Sequence, residues 1–349
     1  MSFLNLCFRT SPLSKLATRT AQNLKSVRTY ARSHILKVTV CGGAGRVAKL
    51  VCLLLKQSPL IDELCVYDVA DTVRFAKELA HVDTGCKVSA YTGKEYVKKA
   101  LQNSKIVVIL ASSPKTAFLS YSAMFDPNAL IMQELIEQFS YFCPKALLAI
   151  ATNPVNSMVP LASEVLKAHG VYNPNTVFGI TTTDVVRANS FAAEVQGLEP
   201  ECVFVPVIGG HSDNTIIPVL SHAKPCNDFT NAELEKITLG VQSAHRDMIK
   251  AKFKESANLS CAFAISRFTL SLVKALRRKS DIIECAYVKS NVHPGTKYLA
   301  TPLRLGPAGI QKNLGLPELS EYERCLLENA VPLIADDVIK GERYAKGLD

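Results

Sequence analysis

No aspartate or glutamate occurs before Asp62, no Cys-x-x-Cys pair occurs anywhere, and no uninterrupted apolar run reaches the ~18 residues of a membrane span. The last absence argues against a transmembrane helix. The second removes the paired spacings that zinc sites and disulfide frameworks need. The eleven cysteines are scattered singly, so they read as reduced, mostly buried thiols in an intracellular compartment, and no metal site is expected. The missing acid is informative because residues 1–30 hold Arg9, Lys15, Arg19, Lys25 and Arg28 with many Ser and Thr. Leu13, Leu16, Thr20, Leu24 and Val27 fall there at helical spacing. This is the composition of a mitochondrial presequence, and "VRTYARS" has the look of a matrix-protease cleavage site with the break near Tyr30. A disordered basic tail is the other reading of the same residues.

The net charge of +9 therefore needs no nucleic acid to explain it. Subtracting the five cations of residues 1–30 leaves +4, and no basic-aromatic stripe follows. A hydrophobic share of 48% and a charged share of 20% fit a soluble globular chain, and 349 residues suffice for two domains, each with its own core.

From Leu36 short apolar runs alternate with amphipathic stretches. "LKVTVC", "ELCVYD", "KIVVILA" and "ALLAIAT" read as four buried strands separated by helices, which predicts a doubly wound α/β domain of Rossmann type over 34–180. Beyond it the texture changes. A helix over about 182–194 precedes two β-rich runs in "CVFVPVIGGHSDNTIIPVLS". Helical patterns then cover about 231–250, 256–277 and 320–340, with a strand at "IIECAYVKS". An α+β domain over 181–349 is expected, without internal repeats or low-complexity linkers.

"VTVCGGAGRVAKL" puts Gly42, Gly43 and Gly45 directly after the first strand and opens a helix. Such a turn lets the backbone approach a pyrophosphate, and a helix N-terminus adds N–H donors. The next strand ends in Asp68, where a carboxylate can accept hydrogen bonds from an adenosine ribose and repel a 2′-phosphate, which favours NAD over NADP. A tight strand-to-helix turn beside a surface aspartate has the same sequence. Arg46 at the helix start either pairs with the pyrophosphate or crowds it, and Ala48 holds a close-packing position usually given to glycine.

"TTTDVVRANS" sets Asp184 and Arg187 at i and i+3, on one face if the segment is helical. "VIGGHSDN" presents His211 after two glycines. Together they suggest a histidine whose tautomer a carboxylate fixes, beside a guanidinium able to hold a carboxylate bidentately. A surface ion pair and a structural histidine would share this pattern.

Three longer stretches, "TNPVNSMVPLASEVLKAHGVYNPNTVFGITTTDVVRAN", "VPVIGGHSDNTIIPVLS" and "TPLRLGPAGIQKNLGL", closely resemble the mitochondrial-type malate dehydrogenases of the NAD-dependent lactate/malate dehydrogenase superfamily, collinearly from about Val38 to the C-terminus. The resemblance implies NAD as cofactor, a small dicarboxylic acid as substrate, a homodimer in the mitochondrial matrix, and no membrane or nucleic-acid partner. It makes Gly42, Gly45 and Asp68 cofactor-binding residues, and lays Asn128 and Asn153 against nicotinamide and substrate. His211 becomes the proton donor and acceptor, Asp184 its orienting carboxylate, and Arg187 the clamp on the substrate carboxylate.

"SPKTAFLSYSAMFD" departs from that pattern. It occupies the place of a lid that normally brings two arginines, and those positions here are Lys115 and Tyr121. Lysine keeps a charge without the planar fork, and tyrosine keeps only a neutral hydroxyl. Losing a charged donor that acts in the transition state costs about 3–4 kcal/mol. Ala117 and Phe118 replace the usual Pro-Gly bend, Ser112 replaces a glycine, "KFKESANLS" is one residue short, and Asp213 brings a charge close to His211. Three readings follow: a malate dehydrogenase of reduced activity, a dehydrogenase for a 2-oxo acid with an apolar tail, or a catalytically silent paralog. The last would act as a cofactor-binding or structural subunit, in a heterodimer with a related subunit.

Overall fold

The computed structural model describes residues 35–114, 120, 122–226, 228–250 and 258–348. The presequence read over 1–30 and the lid residues Lys115, Ala117, Phe118 and Tyr121 lie outside the described residues, as does most of "KFKESANLS".

Six parallel strands form the first half of the sheet: β1 (Lys37–Cys41), β2 (Glu63–Asp68), β3 (Lys87–Thr92), β4 (Ile106–Ile109), β5 (Leu147–Ile150) and β6 (Val177–Ile180). Their order, β3-β2-β1-β4-β5-β6, is that of a doubly wound nucleotide-binding sheet. Every residue of β1, β4 and β5 is buried, as expected of strands covered by helices on both faces. The four strands expected from sequence are β1, β2, β4 and β5. The two that sequence reading missed have identifiable reasons. β3 is a half-buried edge strand without an apolar run, and β6, "VFGI", is four residues long with a glycine inside. A side chain at Gly179 would run into Val155 and Val159, so the glycine lets a helix press on the strand.

The helices are α1 (Arg46–Lys56), α2 (Val73–Ala80), α3 (Val97–Leu101), α4 (Phe125–Phe142), α5 (Val155–Ala168), α6 (Thr182–Gln196), α7 (Asn231–Lys250), α8 (Asn258–Leu276) and α9 (Glu321–Ala345). The last begins on a capping box, in which Ser320 and Glu323 satisfy each other's backbone N–H groups, and runs past the expected end near 340.

The two halves share one sheet and much of their core. β9 (Ile282–Lys289) pairs antiparallel with β6, matching Gly179 with Tyr287 and Ile180 with Ala286. Then β10 (Tyr298–Gly306), β7 (Val207–Gly209) and β8 (Ile216–Pro218) continue the same sheet, and β11 (Gly309–Asn313) pairs with β10. Leu36–Asp349 accordingly forms one compact unit. One apolar cluster joins Ile109 and Phe125 to Tyr298 and Ile334, and another joins Val38 and Leu55 to Phe268 and Leu272. Only a smaller cluster, around Val185, Val205 and Ile237, is confined to the second half.

Among the described residues one helix, α8, is long and apolar enough to cross a membrane. Its Phe268, Leu272 and Val273 are instead fully buried against α1 and the sheet. Burying each such side chain contributes about 1.5–3 kcal/mol, which explains the apolar composition without a bilayer.

Candidate active site

β1 delivers the chain into a turn that only glycine can make. Gly42 has φ +90°, and a Cβ on it would collide with the Ala111 backbone at the end of β4. The N–H groups of Gly42 and Gly43 both donate to Tyr67 O at 2.9 Å, fixing the turn to β2. Gly45 caps α1 without a side-chain acceptor, and the first turn of α1 contains no acid. That end of the helix therefore presents its N–H groups and dipole to an anion.

Asp68, at the end of β2, accepts from Ala44 N at 2.9 Å through Oδ2 and from Ala70 N at 3.1 Å through Oδ1. A carboxylate has about four acceptor positions, so capacity remains on both oxygens for a sugar hydroxyl pair. Arg46 is exposed at the mouth of the same cavity, while Ala48 is buried in the core below it.

The cavity has a volume of about 1490 Å³ and runs from Gly42, Gly45 and Asp68 to Asn153, Arg187 and His211. That exceeds the roughly 300–1,000 Å³ typical of a drug-sized ligand. It suits a dinucleotide with a small acid at its end.

At the deep end the sequence-predicted constellation comes together. Asp184 lies in the first turn of α6, fully buried, and its Oδ2 is 2.6 Å from His211 Nδ1. The helix N-terminus favours the anion there. Asp184 Oδ1 has no hydrogen bond among the described residues and stands 4.0 Å from the Arg187 guanidinium, one turn along the same helix. The carboxylate thus holds the ring through Nδ1. His211 N in turn donates to Asn156 Oδ1 at 2.8 Å. Gly210 leaves room for that amide, because a Cβ would press on Asn156 and Thr215.

Asn128 and Asn153 occupy the middle of the cavity wall. Asn128 accepts from Ser113 N and donates to Asn153 O, both at 2.8 Å, so it clasps the strand ends of β4 and β5 together. Asn153 Oδ1 is buried with no hydrogen bond among the described residues, a vacant acceptor in a site built for a polar ligand. Ser112, Ser113 and Pro114 also line the cavity.

Among the lining residues that sequence reading missed are His245 on α7, and Asn258 and Cys261 on α8. Nothing near them in sequence marks them, since helices far along the chain bring them in. Burial first, then the charges of Arg187 and His211, hold His245 below the ordinary histidine range, while Asp213 pulls the other way. Burial raises the Cys261 thiol, which keeps it protonated and unreactive. Asp213, singled out as a charge beside His211, is turned toward Arg246. Among the described residues no group of three or more His, Cys, Asp or Glu is placed to hold a metal ion.

Residues 36–179 match the lactate/malate dehydrogenase NAD binding domain, and residues 181–344 match the lactate/malate dehydrogenase alpha/beta C-terminal domain. The chain is 41% identical to mitochondrial malate dehydrogenase of Homo sapiens over 337 residues, covering 96% of this chain and 99% of the relative. It is also 41% identical to that of Caenorhabditis elegans over 325 residues, 93% of this chain and 95% of the relative. Among solved structures, a malate dehydrogenase of Cryptosporidium parvum matches with a TM-score of 0.76 at 23% identity, over 88% of this chain and 99% of that one. The malate dehydrogenase of Picrophilus torridus in its apo form matches with a TM-score of 0.77 at 21% identity, over 89% and 99%.

Proposed function

The chain belongs to the lactate/malate dehydrogenase family of NAD-dependent oxidoreductases, and we propose that it interconverts malate and oxaloacetate. The observation that carries this reading is the 2.6 Å contact of His211 Nδ1 with buried Asp184, one helical turn from Arg187, in the cavity that opens at the Gly42 turn.

Gly42, Gly45 and the start of α1 hold the pyrophosphate, Asp68 the adenosine ribose, and Asn128 keeps the loop after β4 in place for the nicotinamide end. Bound NAD supplies the hydride acceptor, or in reduced form the donor. Arg187 grips the carboxylate next to the reacting carbon. His211 Nε2 takes the hydroxyl proton of malate or returns it to the oxygen of oxaloacetate. Asp184 stabilises the charged imidazole that malate oxidation produces, which is the contribution of a fixed carboxylate in general acid–base catalysis. Asn153, with its open acceptor, orients the substrate hydroxyl.

Lys115 binds the far carboxylate as a point charge, and Tyr121 offers a neutral donor where the family brings a second arginine. Turnover is accordingly reduced. The dinucleotide-binding part spans 34–180 and the substrate and catalytic part 181–349. Residues 1–30 direct the protein to the mitochondrial matrix, where it works as a homodimer, a reading supported by the mitochondrial names of its relatives.

The test is NADH oxidation by the full chain with oxaloacetate, pyruvate and a longer apolar 2-oxo acid, alongside His211→Asn and the pair Lys115→Arg, Tyr121→Arg. Oxaloacetate turnover that the paired change raises and His211→Asn abolishes, with NADH still bound, supports the reading. A preference for the apolar acid, or silence with every acid and no rescue, replaces it with one of the two alternatives.

A further inference from the structure

Asp337, on the C-terminal helix α9, reaches the amide that holds the histidine turn. Asp337 Oδ2 accepts from Asn156 Nδ2 at 2.9 Å. The same Nδ2 donates to Ser212 Oγ at 2.9 Å, and Asn156 Oδ1 accepts from His211 N at 2.8 Å. Asn156 is fully buried, and its backbone carbonyl accepts from the Tyr287 hydroxyl at 3.3 Å. Its main chain and both ends of its amide are thereby held.

The helix is registered for this contact. Gly341, one turn beyond Asp337 on the same face, lies so close to α5 that a Cβ would collide with Ser157 O, the residue after Asn156. On the other side, a Cβ at Gly210 would sit 2.7 Å from Asn156 Nδ2. Two glycines thus bring α9 and the histidine turn onto opposite sides of one amide.

We propose that Asp337 is a positioning residue of the catalytic histidine: it fixes which way round the Asn156 amide sits, and so holds the His211 backbone. The inference rests on His211 being the proton-transfer group. The physics is that of donor and acceptor parity. An ionised carboxylate can only accept, so the amide must turn its NH₂ toward Asp337 and its carbonyl toward His211 N. Without Asp337 the NH₂ side keeps only the neutral hydroxyls of Ser212, at 2.9 Å, and Thr215, at 3.4 Å. The amide then loses its one charged anchor, and its carbonyl is held less firmly against His211 N. Donation to a charged acceptor also polarises the amide and strengthens its carbonyl as an acceptor. Burial raises Asp337 above the usual carboxylate range, while Asn156, Lys340 and Ser212 draw it back and Asp336 opposes them.

The experiment compares the full chain with Asp337→Ala and Asp337→Asn. It reads kcat, the KM for oxaloacetate, NADH affinity by fluorescence, and the titration of His211 in ¹⁵N-histidine spectra assigned with His211→Asn. Asp337→Ala lowers kcat about ten-fold, the scale of a small misplacement of a reacting group, with NADH affinity unchanged and the His211 titration moved. Asp337→Asn stays within about three-fold of the parent, because its own carbonyl can accept from Asn156 Nδ2.

A folded Asp337→Ala with parental kcat and an unmoved His211 titration overturns the proposal, as does equal damage in the alanine and asparagine variants. If alanine does not fold, Asp337→Ser takes its place in the same comparison. If the parent itself turns over no acid, the dehydrogenase reading has failed, and the His211 titration alone decides whether Asp337 positions the turn.

Discussion

Arg246 Nε stands 3.4 Å from Asp213 Oδ1, tying α7 to the turn that carries His211. The sequence places Asp213 two residues after His211, which brings a charge close to the histidine. The structure pairs that charge with Arg246, from a backbone at φ +39°. Both side chains are substantially exposed, at 50% and 35%, so the pair is worth less than about 1 kcal/mol. Asp213→Asn is therefore expected to lower stability by no more than that in urea unfolding, with the difference shrinking at high salt. Turnover should stay within about three-fold of the parent, since the ion-pair partner of this carboxylate is Arg246 and not the ring. A much larger fall in kcat would mean that the carboxylate acts on His211 after all.

Asp184 is the opposite case, a carboxylate with no exposure and one short contact. Asp184→Asn keeps the volume but offers an amide that can present NH₂ to Nδ1, which stabilises the wrong tautomer and no longer balances an imidazolium. The expected loss in kcat is about 10²–10⁴, the range that general acid–base catalysis supplies. NADH affinity should not change, because Asp184 lies at the far end of the cavity from Gly42 and Asp68. Parallel loss of NADH binding would point to a collapsed α6 rather than a disabled histidine.

Asp68 allows charge and hydrogen bonding to be separated. Asp68→Asn can still accept from Ala44 N or Ala70 N, so the glycine turn should survive. What disappears is repulsion toward a 2′-phosphate, about 1–4 kcal/mol at contact distance depending on local screening. The ratio of NADPH to NADH affinity should then rise about five-fold or more, read from cofactor fluorescence, with the melting temperature little changed. An unchanged ratio would place the 2′ position away from Asp68.

These residues also show why some of the molecule is legible in its sequence and some is not. The Gly42 turn, Asp68, Asp184, Arg187 and His211 are each marked by neighbours within a few positions, because strand, turn and helix are local structures with local demands. β3, β6 and β10 carry weak local signals, being an edge strand, a four-residue strand and a strand that includes Pro302. The shared core was hidden because the β6 to β9 pairing joins residues more than a hundred positions apart. For the same reason Asp337 and His245 look like ordinary helical polar residues until α9 and α7 are folded against the site.

His245 makes that last point measurable through pH. Burial, then Arg187 and His211, hold its folded-state value below the ordinary one, which lies near ~6.5. As pH falls, the unfolded chain takes up this proton before the folded chain does. The contribution of His245 to stability is thus fully present above the unfolded value and is lost as pH falls below it toward the folded value. His245→Gln cannot take the proton in either state. Urea unfolding at stepwise lower pH should therefore show a shallower decline for His245→Gln than for the parent, with the two curves parallel above neutrality. Arg187→Gln, which removes the charge with the largest effect on His245 after burial, should flatten the decline in part while leaving His245 in place. If the glutamine variant declines as steeply as the parent, His245 is not held neutral by the site, and the acid sensitivity belongs to other groups.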